Sequence, residues 1–382
     1  MKKKTAARIL VAILALATFY GVYLGWIKRD MSDFGVCYRN GQRILSGETL
    51  YRVSDGHLQY KYAPVSALLY APLALLPYET AKIVWFYFEV ILLFGTFWLS
   101  YKILPSPKKN PWFVIGLTFL ALGKFIGREF ELGQVNTLII FILIAVFALL
   151  LENKEWSAGV LWGISLFFKP YALVFLPYFI LRRKIKTIAS GGAVLAAGLA
   201  LPIVNFGFGG NLVVLKEWVS TLSKSTPGLM AVGDNASLYA LLWKTVPGHS
   251  ENVTKILWVA GGCTAAVLFL AMMRQASRGR IEKPELLEAS YLFILIPLFS
   301  PLGWYYNYLY ALPAIALLLN EIAKIPRTWK YVLVADLVLI GGTTRELLGK
   351  SLFRFYTHQS LVAVNFAVIL IILVYTRAKK IA

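Results

Sequence analysis

The residues of this sequence that could do chemistry are a carboxylate and a few cations placed beside long apolar runs. Asp33 lies in KRDMSDFGVCYRNG, residues 28–41, just beyond the first such run. A carboxylate in reach of a hydroxyl can act as a general base, although a lone loop carboxylate is commonly a solvated charge. Lys169 interrupts another apolar run, in LFFKPYALV. Because a lysine there is costly unless it has a partner or reaches water, the alternatives are an anion-binding cation and a side chain that extends outward.

The composition is typical of a chain with many membrane-spanning helices. Of its 382 residues, 58% are hydrophobic and only 15% are charged, against about 25% charged in ordinary soluble domains. The 11 tryptophans and 21 tyrosines are typical of rings at membrane interfaces. The net charge of +20 then indicates basic loops that orient the spans and meet anionic lipids, and not nucleic-acid binding.

Apolar runs separated by charged or Pro/Gly-rich breaks predict an all-α, polytopic membrane protein of about twelve helices, with one domain over 1–382. Residues 64–77, bracketed by prolines and too short to span, predict an interfacial or re-entrant helix. In 157–181, Lys169 and Pro170 predict two short helices that meet there, because proline ends the first. Spans are expected at 7–27, 81–103, 111–127, 135–151, 187–206, 255–273, 286–300, 306–323, 330–347 and 360–376.

The basic residues predict the orientation of these helices. The first run is interpreted as an uncleaved span, and both termini are expected in the cytoplasm. Residues 28–80 and 207–254 then become two long loops on the extracytoplasmic side of the plasma (inner) membrane. The first of these loops keeps six basic residues between positions 28 and 61. Either an anionic lipid headgroup or the nearby acids balance them; the acids are Asp30, Asp33, Glu48 and Asp55.

Four stretches, taken in order, resemble glycosyltransferase family 87 of the GT-C superfamily. They are DFGVCYRNGQRILSGETLY, YKYAPVSALLYAPLALLP, GQVN, and FKPYAL with a basic end. The first pattern is fairly specific, and the order of the others strengthens a match that covers most of the chain. The resemblance implies an α-mannosyltransferase-like enzyme that takes a sugar from a polyprenyl-phosphate carrier and places it on an acceptor hydroxyl outside the membrane.

The resemblance also implies a role for Asp33, which matches the family's first-loop aspartate. The carrier phosphate is already a competent leaving group, so one base that takes the acceptor proton is enough. Glycosidases usually need a second carboxyl as an acid. Asp33 is therefore the expected base. Direct attack from the opposite face inverts the anomeric centre, so a β-linked mannosyl carrier yields an α-mannoside.

Cations are needed to bind the leaving phosphate. Lys169 is the first candidate, and Arg128 and Arg345 follow because both fall near predicted outer ends of spans. Each arginine has an alternative ion-pair partner, namely Glu129 or Glu131 for the first and Glu346 for the second.

Polar and aromatic side chains at the outer ends are candidates for sugar or acceptor contacts. They are Tyr62, Gln134, Asn136, Asp234, Asn235, Trp304, Tyr305 and Tyr306. Gln134 and Asn136 could equally cap a helix, whereas Asp234 and Asn235 are expected first as caps of a short interfacial helix and only second as acceptor contacts. Relatives often carry histidine after the tryptophan of SPLGWYYNYLYALP. If that histidine binds donor phosphate, either a tyrosine replaces it here or the donor or acceptor differs, and an interfacial aromatic belt is the other interpretation.

No cofactor or metal is expected, because His57, His249 and His358 are scattered and form no zinc set. The expected partners are the donor, a glycolipid or glycan acceptor, and membrane lipids. A transporter or lipid flippase also fits many helices and an intramembrane lysine, but the repeated halves common in transporters are not found. An arabinosyl or glucosyl donor and a non-catalytic scaffold are the remaining alternatives.

Overall fold

The helices of the structure begin and end close to the breaks in the apolar pattern. The computed structural model describes residues 14, 16–276 and 283–379, so the start of the first predicted span lies outside the described residues. Within those ranges every regular element is a helix, and the one strand-like pairing is an antiparallel bridge between Asn235 and Trp304. The all-α prediction is confirmed for this part of the chain.

The α-helices are α1 Leu16–Gly25, α2 Ser32–Leu45, α3 Pro64–Ala74, α4 Tyr78–Ile103, α5 Pro111–Leu132, α6 Asn136–Leu151, α7 Glu155–Ser165, α8 Leu176–Leu181, α9 Ile185–Ala200, α10 Ile203–Ser225, α11 Leu238–Thr245, α12 Glu251–Ala276, α13 Pro284–Phe299, α14 Leu312–Asn320, α15 Arg327–Gly342, α16 Arg345–His358 and α17 Val362–Ala378. Short 3₁₀-helices at Val53–Leu58, Pro170–Phe175 and Tyr305–Ala311 occupy breaks between them.

By length and composition, α4 and the stretch Glu251–Arg274 of α12 can each cross a membrane alone. Two further spans are possible if each bent pair counts as one: α9 with Ile203–Leu229, bent by 93°, and α16 with α17, bent by 69°. Large apolar side chains on α4 and α12 point outward, as on lipid-facing helices; they include Ile91, Trp98, Ile256 and Val267. The chain is thus a helical membrane protein, and the total of about twelve spans stays a prediction.

The first predicted outer loop is an ordered part of the fold. It contains α2 and α3, which pack together, and the hydroxyl of Tyr38 on α2 donates to the carbonyl of Leu76 at 2.7 Å. Arg43 forms a double hydrogen bond to Asp55, at 2.5 and 2.9 Å. Neighbouring acids therefore balance part of the basic charge of this loop.

The second predicted outer loop, 207–254, differs more from expectation. Most of it is helical, because α10 resumes after a kink at Gly207 (φ 69°) and runs to residue 225, and α11 and the start of α12 follow. Glycines and charged residues obscured the apolar positions of α10 in the sequence. Likewise, residues 345–358, expected to end a span and begin a loop, form α16. On which side of the membrane these helices lie stays a prediction.

The break at Lys169 is where the sequence placed it. α7 ends at Ser165, Lys169 has an extended backbone, and Pro170 begins the 3₁₀-helix that leads into α8. Two short helices therefore meet here, as predicted. Lys169 thus lies at an extended break between helices, and its side chain is buried.

Candidate active site

Asp33 lies in the first turn of α2, and the end of α5 determines where that turn begins. The Met31 N–H donates to the Glu131 carbonyl at 2.7 Å. Gly133 follows α5 with a φ of 64°, and a Cβ there would lie 2.7 Å from Cβ of Phe34. Since only glycine accepts both the backbone angle and the close approach, the first residue of GQVN is what lets α5 meet the start of α2.

The Asp33 carboxylate is half-buried and is bound by Gln134. The amide N–H₂ of Gln134 donates to Asp33 Oδ2 and to the Tyr306 hydroxyl, the latter at 3.1 Å. Burial raises the pKa of Asp33, while the hydrogen bond from Gln134 and the charge of Lys169 act in the opposite direction. Asp33 therefore holds a proton more readily than an ordinary aspartate, which suits a general base.

Lys169 points into the protein rather than outward. The residue is 8% exposed, and its Nζ donates to Oε1 of Gln134 at 3.0 Å and to Oδ1 of Asn136 at 2.9 Å. Three tyrosine rings surround the ammonium group at 5.2 to 6.0 Å, those of Tyr62, Tyr171 and Tyr306. The partners that a buried lysine needs are therefore amide oxygens and ring faces.

A second carboxylate, Glu129, lies at the other end of these contacts. Asn136 donates to its Oε2 at 2.8 Å, and the Thr137 N–H donates to its Oε1 at 3.0 Å. Glu129 thus caps α6, whereas the sequence had suggested Gln134 or Asn136 as the cap. We refer to the connected side chains as the base network: Asp33, Gln134, Lys169, Asn136 and Glu129.

A cavity of about 1840 Å³ opens beside the base network. Most of the predicted site residues line it: Asp33, Tyr62, Arg128, Gln134, Lys169, Asp234, Trp304, Tyr305, Tyr306 and Arg345. Asn136 does not, because it is fully buried with both ends of its amide bonded to the protein. The structure thus gathers residues that are up to several hundred positions apart, but it does not bring Asn136 to the cavity.

Asn235 is the other predicted contact that stays away from the cavity. It is fully buried; its amide donates to the Pro301 carbonyl at 2.8 Å and accepts from the N–H groups of Ser237 and Gly303. A Cβ on Gly303 would lie 2.3 Å from the Pro297 carbonyl oxygen. Asn235 therefore joins two chain segments at a glycine that permits close contact. The cap of α11 is Ser237, which accepts from the Ala240 N–H.

The arginines are placed differently from Lys169. Arg128 pairs with Glu131 at 2.7 Å and with Asp30 at 4.0 Å, so Glu129 is not its partner, and its side chain is 45% exposed. Arg345 begins α16 and is exposed. Both line the cavity and can reorient toward an anion there.

Lys124 was missed in the sequence and belongs with these arginines. It lies one turn before Arg128 on α5, lines the same cavity, and donates to both oxygens of Thr343, two residues before Arg345. Among the described residues no carboxylate forms an ion pair with it, and its contacts are the rings of Phe125, Tyr305 and Tyr356 at 5.0 to 5.4 Å. We refer to Lys124, Arg128 and Arg345 as the cation wall. The signal was available, since Lys124 interrupts an apolar run as Lys169 does.

The two tyrosines after Trp304 have separate surroundings. Tyr306 accepts a hydrogen bond from Gln134 and so belongs beside the base network. The hydroxyl of Tyr305 is buried without a hydrogen-bond partner among the described residues, and its ring lies 5.3 Å from that of Phe125. Of the two, Tyr305 has the hydroxyl that is free to bind a ligand. Over the described ranges, no group of three or more His, Cys, Asp or Glu side chains could hold a metal ion.

The described helices thus place a half-buried carboxylate and a wall of cations around one cavity. The family model of glycosyltransferase family 87 matches residues 60–301. The chain therefore belongs to glycosyltransferase family 87 and is a glycosyltransferase, which confirms the resemblance and sets aside the transporter and scaffold alternatives.

Curated relatives are similar over most of their length. One from Mycolicibacterium smegmatis, a polyprenol-phosphate-mannose-dependent alpha-(1-2)-phosphatidylinositol mannoside mannosyltransferase, is 25% identical over 94% of this chain and 88% of its own. A Mycobacterium tuberculosis protein of the same name is 22% identical over 76% of this chain and 69% of its own. A phosphatidylinositol pentamannoside mannosyltransferase of M. smegmatis is 22% identical over 82% and 75%.

Proposed function

We propose that this enzyme transfers mannose from a polyprenyl-phosphate carrier to a glycolipid hydroxyl on the extracytoplasmic side of the plasma (inner) membrane, with inversion and with Asp33 as the base. The observation that carries this proposal is the half-buried Asp33 carboxylate, held by Gln134 at the wall of the cavity. The donor and the acceptor class come from the activities named for the mycobacterial relatives. The family match begins at residue 60, so the role of Asp33 depends on geometry and on the first-loop resemblance.

The reaction needs one proton acceptor. The acceptor hydroxyl oxygen bonds to the anomeric carbon as the bond from that carbon to the phosphate oxygen breaks, and the hydroxyl proton passes to Asp33. Gln134 occupies Oδ2, and among the described residues no hydrogen bond is made to Oδ1, which is therefore the oxygen left for the acceptor. The polyprenyl phosphate departs with the electron pair and needs no acid.

The charge that develops on the leaving phosphate has cations nearby. The cation wall supplies two exposed guanidinium groups and the Lys124 ammonium on the side of α5 and α16. Lys169 has used two of its three N–H donors on amides, so one is left for a phosphate oxygen. Guanidinium groups bind phosphate in pairs of hydrogen bonds, and charge stabilisation of this kind is a large part of catalysis in a water-poor cavity.

The cavity has room for two substrates together. Its volume of about 1840 Å³ exceeds the roughly 300–1,000 Å³ of pockets that hold one small ligand. A mannosyl phosphate and the end of a glycan acceptor can therefore meet inside it. Tyr62 and Trp304 line the cavity and offer ring faces to the sugars, whereas the amide of Gln134 is already bonded to Asp33, Lys169 and Tyr306.

The test is transfer by the purified enzyme in lipid vesicles, with radiolabelled polyprenyl-phosphate-mannose and a phosphatidylinositol mannoside acceptor. We expect a labelled glycolipid from which an α-mannosidase, and not a β-mannosidase, releases the label. Preferred transfer of arabinose or glucose from the matching carriers would correct the sugar and keep the reaction. A β-linked product from a β-linked donor would contradict inversion, and no transfer from any carrier would contradict the proposal.

A further inference from the structure

Glu129 is a buried carboxylate that the transfer reaction as described does not use. It is fully buried, and both of its oxygens accept hydrogen bonds, one from Asn136 and one from the Thr137 N–H. Through Asn136, Lys169 and Gln134 it is connected to Asp33 without a gap. An ionisable side chain inside a membrane protein is expensive and usually has a function.

The hydrogen bonds of the base network can run in only one donor-to-acceptor direction, because of the kinds of groups at its ends and centre. An ionised carboxylate only accepts hydrogen bonds and an ammonium only donates them, whereas an amide does one at each end. Glu129 therefore turns the N–H₂ of Asn136 toward itself, which leaves the Asn136 oxygen for Lys169. Lys169 in turn takes the oxygen of Gln134, and the N–H₂ of Gln134 can only face outward, toward Asp33.

We propose, on the basis of Asp33 acting as the base, that Glu129 is a positioning residue of the transfer reaction. Acting through Asn136, Lys169 and Gln134, it sets the orientation in which the Gln134 amide donates to Asp33 Oδ2, so that Oδ1 faces the acceptor hydroxyl. If the Gln134 amide were reversed, its oxygen would face the carboxylate and repel it. Glu129 does not touch the substrate, because Asn136 and Lys169 lie between it and Gln134.

A second glutamate provides a matched control. Glu89, on the neighbouring helix α4, is as buried as Glu129, but among the described residues neither of its side-chain oxygens has a hydrogen-bond partner. The substitution Glu89→Gln removes a buried carboxyl group of the same size and leaves every hydrogen bond of the base network in place. A general effect of removing a buried carboxyl group would appear in both variants, and an effect of positioning only in the variant of Glu129.

The experiment compares wild type, Glu129→Gln, Glu89→Gln, and the double variant Glu129→Gln with Asn136→Asp. In Glu129→Gln, the glutamine offers one oxygen and one N–H₂ group where Glu129 accepted from both Asn136 and the Thr137 N–H. Either the Thr137 N–H loses its acceptor, or the Asn136 amide reverses and points its N–H₂ group at Lys169. In the double variant the new amide donates to the new carboxylate at 136, which still accepts from Lys169. The total charge and every hydrogen bond are then restored, with the two groups exchanged.

For the reconstituted enzyme we expect Glu129→Gln to lower kcat on the order of 10²-fold, the effect of a misplaced reacting group. The double variant should recover to within roughly tenfold of wild type, and Glu89→Gln should stay within about threefold. Recovery shows that the rate depends on the hydrogen-bond pattern and not on a carboxylate at position 129 itself, since two unrelated buried substitutions would add their damage.

Asp33→Asn separates this inference from the proposed function. If Asp33→Asn transfers mannose at the wild-type rate, the base assignment fails and the inference fails with it. If Asp33→Asn is inactive while Glu129→Gln keeps the wild-type kcat, only the inference is overturned. It is also overturned if the double variant folds without recovering activity, or fails to fold beside a well-folded Glu89→Gln. If Glu129→Gln alone does not fold, the double variant carries the test: a kcat within roughly tenfold of wild type supports the inference, and a folded but inactive double variant overturns it.

Discussion

The base network and the cation wall, on two sides of the cavity, differ in how far their charged side chains are buried and hydrogen-bonded. In the base network, Lys169 is 8% exposed and its nitrogen is bonded to two amide oxygens. On the cation wall, the Arg128 side chain is 45% exposed, and its partners are the half-buried Glu131 and Asp30. Arg345 is exposed at the start of α16. Lys169 is thus held in one position, whereas the two exposed arginines of the cation wall can follow a ligand; Lys124, bonded to Thr343, lies between these extremes.

This difference matches the two tasks of a glycosyl transfer. A base must meet one proton along one direction, so its surroundings have to be fixed before the substrate arrives. A lipid-linked phosphate enters with a long, mobile chain, and long cationic side chains can follow it without a fixed geometry. We therefore expect the base network to be sensitive to shape and the cation wall to be sensitive mainly to charge.

The largest effect should come from Asp33→Asn. An asparagine fits the same space and its oxygen can still accept from Gln134, but it cannot take a proton. We expect kcat to fall by roughly 10²- to 10⁴-fold, the usual contribution of a general base, with little change in the melting temperature. Radiolabelled transfer at saturating donor measures this.

Asp30→Asn is the control for that substitution. Asp30 lies three residues before Asp33, and its Oδ1 accepts from the Ser32 N–H at 3.0 Å, a contact that asparagine keeps. Wild-type activity in this variant would show that the loss is specific to Asp33. Equal losses in both variants would instead indicate that a general negative charge at the start of α2 is what the reaction needs.

The next largest effect should come from Lys169→Arg, a substitution that conserves the charge. Lys169→Arg puts a larger, planar group between two amides and three tyrosine rings, where its geometry does not fit. Misplacing the neighbouring Gln134 should then lower kcat by about 10²-fold. Arg345→Lys makes the reverse exchange at an exposed position, so transfer should stay within about threefold of wild type.

The ratio of the rate losses in Lys169→Arg and Arg345→Lys measures how much more the base network depends on side-chain shape than the cation wall does. Initial rates with both variants, at several donor concentrations, separate a loss in kcat from a rise in KM. If Lys169→Arg is tolerated as well as Arg345→Lys, the base network is not rigid and the comparison is wrong. Thermal melting of both variants checks that neither loss is a loss of fold.

The sequence predicted the parts of the site that have a local signal. Lys169 and Pro170 interrupt an apolar run, and both the broken helix and the buried cation could be read there. Lys124 interrupts its run in the same way, but it lies inside the span expected at 111–127 and was not among the predicted cations. In the structure α5 continues through that stretch to Leu132.

Other parts of the site could not be predicted, because they depend on pairing between distant residues. Asn136, at a predicted span end, and Asn235, in the second predicted outer loop, were candidates for sugar or acceptor contacts, with helix capping as the alternative for both. Only the fold shows that the first is bonded to Lys169 and Glu129 and the second to the chain near Pro301. Similarly, the pairing of Arg128 with Glu131 instead of Glu129 depends on which face of α5 is buried.

The smallest predicted effect couples the two sides through the pKa of Asp33. Burial raises that pKa, the Gln134 hydrogen bond and the Lys169 charge lower it, Asp30 raises it and Arg128 lowers it. Because the base acts only when deprotonated, activity should fall as the pH decreases through a pKa above the ordinary aspartate range. Arg128→Gln removes a cation that favours the charged form, so the acid limb of the kcat profile should move to higher pH.

The shift should be modest and should disappear in high salt, because an exposed charge is screened within about 10 Å at 0.1 M ionic strength. Arg345→Gln is the matched control, since Arg345 is not among the groups that act on Asp33. Profiles of kcat at saturating donor, in low and in high salt, give the measurement for both variants. A shift to lower pH in Arg128→Gln, or equal shifts in both variants, would mean that the ionisation on the acid limb is not that of Asp33. The base network would then show no detectable electrostatic coupling to the cation wall.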